Sequence, residues 1–187
     1  VIKAVIVKAY EFARKKHEGQ KRKCTNLDFF THPKGVARII EKLTNDENII
    51  ASSLLHDILE DTDTTEMDLR IEFTDEIADL VKELTNDPQE RGLLKKYEYL
   101  RMKMSKMSSS ALLIKLADLF HNIRFIERDY KPDDEESVEF ADWLYKKTKL
   151  IVDNLEEVID AEINDKHKVL LSYIRTILEF YRIQHSK

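Results

Sequence analysis

The sequence predicts an all-α protein, and two observations carry that prediction. Apolar residues recur at three- and four-residue intervals almost throughout the chain. The 187 residues contain only 3 Gly and 3 Pro, too few turn-formers for a sandwich or barrel of many short strands. Hydrophobic residues make up 42% and charged residues 36%, the mix of a folded chain with charged helix faces rather than of a disordered one. A chain of this length fits one domain, 1–187, burying about 70% of its unfolded surface. The expected architecture is a bundle of roughly eight to ten helices.

Taken in order, Ile2, Val5, Ile6, Ala9, Phe12 and Ala13 form a first apolar stripe. A polar loop follows from Gly19 to Thr31. Pro33 then stands at a helix start, where its missing N–H is tolerated, ahead of Val36, Ile39, Ile40 and Leu43. Asn45-Asp46 reads as a stop and a new N-cap before a helix carrying Ile49, Ile50, Leu54 and Ile58. The polar run Asp61 to Thr65 is a break, and Thr74-Asp75-Glu76 opens a helix with Ile77, Leu80, Val81 and Leu84 that Asn86-Asp87-Pro88 ends. Leu93, Leu94, Tyr97, Leu100, Met104 and Met107 keep the helical spacing. Ser108 to Ser110 cap a helix with Leu112, Leu113, Leu116, Phe120 and Ile123. Two C-terminal helices within 133–187 follow, one with Trp143 and Leu144, the other with Leu170, Tyr173, Ile174, Ile177 and Tyr181. These aromatic and Met stripes are read as core.

Charge and cysteine usage exclude several classes. The net charge of -5 argues against nucleic-acid binding. No run approaches the ~18 apolar residues of a membrane span, and Lys3 and Lys8 interrupt the early apolar segment that a signal peptide would need. One cysteine, Cys24, rules out an internal disulfide and suits a reduced thiol in the cytoplasm. Basic residues crowd the first 23 positions, from Lys3 to Lys23; such a cluster on an acidic protein can mark a small-anion site, although Lys3, Lys8 and Arg14 are read as solvated helix face.

The chemistry concentrates in Leu54-Leu55-His56-Asp57-Ile58-Leu59-Glu60-Asp61. An apolar helix here carries four titratable residues, and burying such groups without partners is costly. On one continuous helix, Glu60 lies four residues after His56 and three after Asp57, and Asp61 four after Asp57, so all four reach one side. Three carboxylates near a helix C-terminus oppose its dipole, a penalty a bound cation removes. A second cluster, Lys115-Leu116-Ala117-Asp118-Leu119-Phe120-His121-Asn122, puts Lys115, Asp118 and Asn122 on one face. Thr31-His32-Pro33 supplies a third candidate, His32 at a helix start.

The order His, then His-Asp, then Asp, all on helices, resembles the HD-domain metal-dependent phosphohydrolases. The likeness extends over the motif-bearing part, residues 1–130, to the hydrolase domain of the RelA/SpoT family and its small stand-alone alarmone hydrolases. It is carried by Ala9-Tyr10-Glu11-Phe12-Ala13, by His17-Glu18-Gly19-Gln20-Lys21-Arg22-Lys23, by Thr31-His32-Pro33, by Ala51-Ser52-Ser53-Leu54-Leu55-His56-Asp57 with Glu60-Asp61-Thr62, and by Lys115-Leu116-Ala117-Asp118 with His121-Asn122.

That resemblance implies a single HD-type domain in which His32, His56, Asp57 and Asp118 bind one Mn²⁺. It also implies that Glu60 and Asp61 are the acidic pair of the hydrolytic step, and that Arg22, Lys23 and Asn122 line the nucleotide pocket. Two imidazoles and two carboxylates form a mixed, fairly hard donor set that also accepts Fe²⁺, Mg²⁺ or Zn²⁺. A divalent cation makes water acidic enough to act near neutral pH, and a nearby carboxylate can orient that water and take a proton. Lys115 is a candidate either for the phosphates or for a salt bridge to a metal-site carboxylate; Lys95 and Lys96 are read as solvated face. His17, in the resembling segment but not a ligand by its pattern, is expected to have a hydrogen-bonded packing role, His121 to support the ligands from outside, and His167 and His185 fall outside every motif.

The implied activity is that of a guanosine-3′,5′-bis(diphosphate) 3′-pyrophosphohydrolase, a phosphoric diester hydrolase converting (p)ppGpp to GDP or GTP and pyrophosphate. The chain departs from the family at Leu119 and Phe120, where an Arg-Leu pair is usual, and at Phe125, where many relatives carry Thr near the base. Those departures keep two alternatives open: another nucleotide substrate, such as the 2′-phosphate of NADPH, and a non-catalytic alarmone-binding module. Expected partners are the small-molecule nucleotide, no nucleic acid and no membrane, with homo-oligomerisation left open.

Overall fold

Short polar caps divide the chain into helices, as a computed structural model shows for residues 3–87, 96–153, 155–160 and 162–185. The described residues form α1 (Ala4–Lys16), α2 (Thr31–Ile40), α3 (Glu47–Leu55), α4 (Ile58–Asp61), α5 (Glu66–Glu72), α6 (Asp75–Leu84), α7 (Lys96–Ser105), α8 (Ser109–Ile123), α9 (Phe125–Arg128), α10 (Glu135–Val152) and α11 (Asp165–His185), with a 3-10 turn at Leu155–Glu157. Two of these, α4 and α9, are single turns of four residues; the longer helices match the expected bundle. The one extended pairing among the described residues is an isolated bridge between Lys21 and Asp28. No described helix is long and apolar enough to cross a membrane.

The caps act where the sequence places them. Asp46 accepts from the Asn48 and Ile49 amides, Thr74 from Ile77, and Ser108 from Ala111. Each satisfies amides that the helix ladder leaves free, an effect of about 1 kcal/mol per cap. Asp134 does the same for α10. Helix α5 was not read from the sequence, which showed only a polar break ending at Thr65. Its mark was the capping box: Thr65 accepts from the Asp68 amide while the Asp68 carboxylate accepts from the Thr65 amide. Its short apolar content, with Leu69 the one buried residue, left no periodicity to detect. Leu93, Leu94, Pro88 and Lys95 lie outside the described residues, as do the side chains of Lys96 and Tyr97.

The chain divides into two compact units. The first runs to Asp87 and includes Leu113–Lys115 of α8. In it α3 packs against α1, α2 and α6, and α5 against α6. Its core holds Ala9, Ala13, Ala37, Ala51 and Ala78 together with Leu54, Leu55, Ile58, Leu69, Ile77 and Val81. The alanines let neighbouring helices approach closely, while fully buried Leu55 and Ile58 each contribute about 1.5–3 kcal/mol. Val5, Ile6 and Phe12 of the first predicted stripe pack against this core half-buried.

The second unit comprises the rest of the chain from Pro88. There α10 packs against α7 and α11, and α9 against α11. Leu170, Ile174, Ile177 and Tyr181 form the buried stripe of α11, whereas Tyr173 is exposed and stacks on Phe120 with ring centroids 5.6 Å apart. Trp143 also differs from its expected core role: it is exposed, stacked on Phe140, with the Lys147 ammonium over its ring.

Candidate metal centre

The helix expected to carry His56 through Asp61 as one piece is broken within the motif. α3 ends at Leu55, His56 is its C-cap, and Asp57 adopts φ -101°, ψ 0° before α4 starts at Ile58. This conformation lies in the bridge region of backbone space. The ladder restarts as the Glu60 and Asp61 amides both donate to the Asp57 carbonyl. The one-face argument for His56, Asp57, Glu60 and Asp61 is therefore corrected: two short helices meeting at Asp57 carry them, not one.

What the break achieves is convergence in the first unit. His56 is buried at the core end of α3, and its Nδ1 lies 2.8 Å from the Ser53 carbonyl. A carbonyl only accepts, so Nδ1 carries the proton and Nε2 presents a lone pair. His32 is buried in the first turn of α2. That turn is set by Thr31, whose hydroxyl and amide both reach the Asp28 carbonyl, and by the His32 amide donating to Phe29. Pro33 fits here because its nitrogen has no intrahelical acceptor to meet.

The His32 and His56 Nε2 atoms are 3.3 Å apart. Asp57 Oδ2 lies 3.1 Å from His56 Nε2 and 3.5 Å from His32 Nε2. Ligand bonds of about 2.1 Å in octahedral or tetrahedral geometry place donor atoms roughly 3.0–3.4 Å from one another. The three donors thus have the spacing of one face of a coordination shell, with the hydrogen-bonded Nδ1 of His56 orienting its ring as an outer partner does. They form a His/Asp site fit for a divalent cation.

Around this cluster, the acidic pair is held from two directions. Asn86, just past the end of α6, donates its backbone amide to Glu60 Oε1 at 2.9 Å and its side-chain amide to Oε1 and Oε2 at 2.9 and 3.0 Å. The sequence shows only a helix stop there; a contact 26 residues distant leaves no local pattern. Gln20 donates to the Asp61 carbonyl at 2.6 Å, tying the basic loop to α4.

That loop, between α1 and α2, turns through three residues of positive φ, Gly19, Cys24 and Asn26, with the left-handed geometry that suits Gly and Asn. The Arg22 amide donates to Leu27 at 2.8 Å, and the Lys21 ammonium meets Asp28 at 2.6 Å. Arg22 is half-buried and Lys23 exposed at the tip. Lys3, Lys8 and Arg14, read as solvated face, do pair on the surface with Glu47, Glu72 and Glu11.

The remaining site candidates lie on α8. Lys115, in the first unit, is buried. In the second unit, Asp118 is 6% exposed and accepts from the Asn122 side-chain amide at 2.6 Å, the i,i+4 face the sequence anticipated. Leu119 and Phe125 are buried apolar residues, Phe125 edge-to-face with Phe140 at 4.9 Å. Of the three departures from the family pattern, Leu119 and Phe125 are thus core packing in this unit, while half-buried Phe120 stacks on Tyr173.

His17 is buried with its ring 4.8 Å from Phe29 and its Nδ1 2.8 Å from Gln20 Oε1. Burial pushes its pKa down; Gln20 and Asp57 oppose the shift, and His56 adds to it.

An all-helical chain with this donor set is of the metal-dependent phosphohydrolase kind, and comparison with known proteins agrees. The HD domain family matches residues 9–142, and the chain belongs to that family. It is 37% identical over 131 residues to the Xenopus tropicalis guanosine-3′,5′-bis(diphosphate) 3′-pyrophosphohydrolase MESH1, covering 67% of this chain and 71% of that one. The human protein of the same name gives the same figures. A Mycoplasma pneumoniae probable guanosine-3′,5′-bis(diphosphate) 3′-pyrophosphohydrolase is 37% identical over 135 residues, but the match spans only 18% of that longer protein. Among solved structures, one described as a metazoan ortholog of SpoT that hydrolyzes ppGpp superposes with a TM-score of 0.74 at 27% identity, over 94% of this chain and 96% of that one. A Listeria monocytogenes protein with TM-score 0.61 and 22% identity, over 81% and 99%, shares the fold.

Proposed function

We propose that the protein is a Mn²⁺-dependent guanosine-3′,5′-bis(diphosphate) 3′-pyrophosphohydrolase, releasing pyrophosphate and GDP or GTP from (p)ppGpp. The observation that carries this reading is the convergence of His32 Nε2, His56 Nε2 and Asp57 Oδ2 at 3.1–3.5 Å. The names of the relatives supply the substrate. Asp118 is proposed as the remaining ligand, as the family resemblance implies: a buried carboxylate needs a cation or donors around it.

When bound, the cation supplies Lewis-acid polarisation and a water of lowered pKa. The chain's own residues do the rest. Glu60, oriented by Asn86, and Asp61 are proposed to orient the attacking water and take its proton. Arg22 and Lys23, on the loop tied down by Gln20, are proposed to meet the phosphate oxygens, with Lys115 as a further cation for them. Asn122 is proposed to line the pocket while holding Asp118. Mn²⁺ is the proposed ion, with Fe²⁺, Mg²⁺ and Zn²⁺ as competitors. We place the protein in the cytoplasm and treat 1–187 as one domain, for which a single calorimetric unfolding transition is the expected behaviour.

The test is a panel of nucleotides, including guanosine tetraphosphate and NADPH, ranked by kcat/KM on the Mn²⁺-loaded protein. The expected result is a clear preference for guanosine 3′-pyrophosphates. Preferential phosphate release from NADPH would move the assignment to another nucleotide, and tight alarmone binding without product would make the protein a binding module. Asp118→Ala should remove both metal binding and hydrolysis.

A further inference from the structure

His17 is the residue that neither the metal centre nor the packing of the first unit accounts for. Its two ring nitrogens can be told apart from neighbouring chemistry alone. Gln20 donates through Nε2 to the Asp61 carbonyl, which fixes the orientation of the amide and points Oε1 at His17 Nδ1, 2.8 Å away. An amide oxygen only accepts, so Nδ1 of His17 carries the proton and Nε2 is left with a lone pair.

That Nε2 is buried and has no hydrogen-bond partner, on a residue only 2% exposed. Leaving a buried acceptor unsatisfied is unfavourable, and a pure packing role would be filled better by an apolar ring, since Phe29 already packs against this one at a tilt of 36°. Phe29 also contacts His32 edge-on, at a ring distance of 6.2 Å. Phe29 thus touches the His17 ring on one side and the His32 ring on the other, which sets His17 one ring away from the metal centre. A bare ring nitrogen calls for a donor, and water is the donor the proposed reaction requires.

We propose that His17 is a water-positioning residue: its Nε2 accepts a hydrogen bond from the water that attacks the phosphorus next to the ribose 3′-oxygen, while the proton of that water goes to the Glu60–Asp61 pair, the P–O bond to the 3′-oxygen breaks, pyrophosphate leaves and the 3′-oxygen is protonated to the hydroxyl. This rests on the proposed hydrolytic function. Held at Nδ1 through Gln20 to the same α4 backbone that carries Asp61, the ring fixes the water relative to the acidic pair. Such placement matters because errors near 1 Å at a reacting atom cost about 100-fold in rate.

The test uses the full chain with ¹⁵N-labelled histidine and three variants, His17→Phe, His17→Gln and Gln20→Leu. In metal-free protein the ¹⁵N spectrum should show His17 protonated at Nδ1 and bare at Nε2, and Mg²⁺ loading should shift Nε2 without making it a metal ligand. With Mn²⁺, His17→Phe keeps the stacking but lacks the acceptor, and kcat should fall at least about tenfold with KM and bound metal unchanged. His17→Gln places an amide oxygen near the Nε2 position and should recover part of the loss; Gln20→Leu should free the ring and lower kcat less than His17→Phe. A proton on Nε2, a His17→Phe enzyme with more than half the wild-type kcat, or equal losses in the Phe and Gln variants would overturn the proposal. An inactive, metal-loaded wild type would contradict the hydrolase reading instead, and the ¹⁵N spectrum would still report whether Nε2 is an acceptor.

Discussion

His56 and His167 are both buried, one in each unit, and the contrast between them separates a functional histidine from a structural one. His167 stands in the first turn of α11. Its Nε2 donates to the Ser109 carbonyl at 2.8 Å, and its Nδ1 meets Asn164 at the amide nitrogen, 3.3 Å, and at Oδ1, 2.9 Å. Main-chain and amide partners on both sides make a clasp between the starts of two helices. His56 also has one nitrogen on a main-chain carbonyl, but the other faces a second imidazole and a carboxylate. Groups of that kind gather only where something positive belongs between them. Burial is equal in the two cases; the partner set of the second nitrogen is what differs.

The largest effect expected from this contrast is on metal binding. His56→Ala should abolish Mn²⁺ binding in calorimetric titration and lower pyrophosphate release by well over the ~100-fold typical of losing an outer partner. His167→Ala should leave turnover unchanged and instead leave the Ser109 carbonyl short of a donor, costing about 1–3 kcal/mol and a Tm drop of several degrees. Comparable losses of metal in both variants would erase the distinction. Next in size, Glu60→Gln should cut kcat by about 10²–10⁴-fold, the range of general-base removal, with metal content preserved. Smaller again, Arg22→Ala or Lys23→Ala should raise KM roughly tenfold, the equivalent of one charge-assisted hydrogen bond, while kcat for pyrophosphate release stays closer to wild type.

The smallest effect concerns acid. Because burial depresses the His17 pKa below its ordinary 6.5, the unfolded chain takes up a proton at this residue before the folded one does. Its contribution to stability is full above 6.5 and is lost as the pH falls below that value toward the depressed one. Denaturant unfolding between pH 7.5 and 5 should therefore show a shallower loss of stability in His17→Phe than in the wild type. Equal slopes would show that the ring protonates as easily in the folded chain.

Much of this was legible in the sequence because it is written in local patterns. The caps at Asp46, Thr74 and Ser108, the stripe on α11 and the one-face placement of Asp118 and Asn122 each follow from spacings of two to four residues. The order His32, His56-Asp57, Asp118 was legible through family resemblance, and its first two members do meet in the first unit. What escaped has a common physical cause. The grip of Asn86 on Glu60 and the Gln20 link between His17 and Asp61 are contacts 26 and 41 residues apart, and helix periodicity carries no information about them; nor does it mark the break at Asp57, where the apolar spacing runs on through Ile58. Trp143 and Tyr173 were misjudged for the converse reason: an aromatic at helical spacing can face solvent when a neighbouring ring stacks on it.

The central claim is tested most directly by incubating the Mn²⁺-loaded protein with guanosine tetraphosphate and measuring pyrophosphate. The account predicts stoichiometric release of pyrophosphate and GDP that stops on chelation and returns on adding Mn²⁺. A folded protein that binds Mn²⁺ and leaves the nucleotide intact would contradict it.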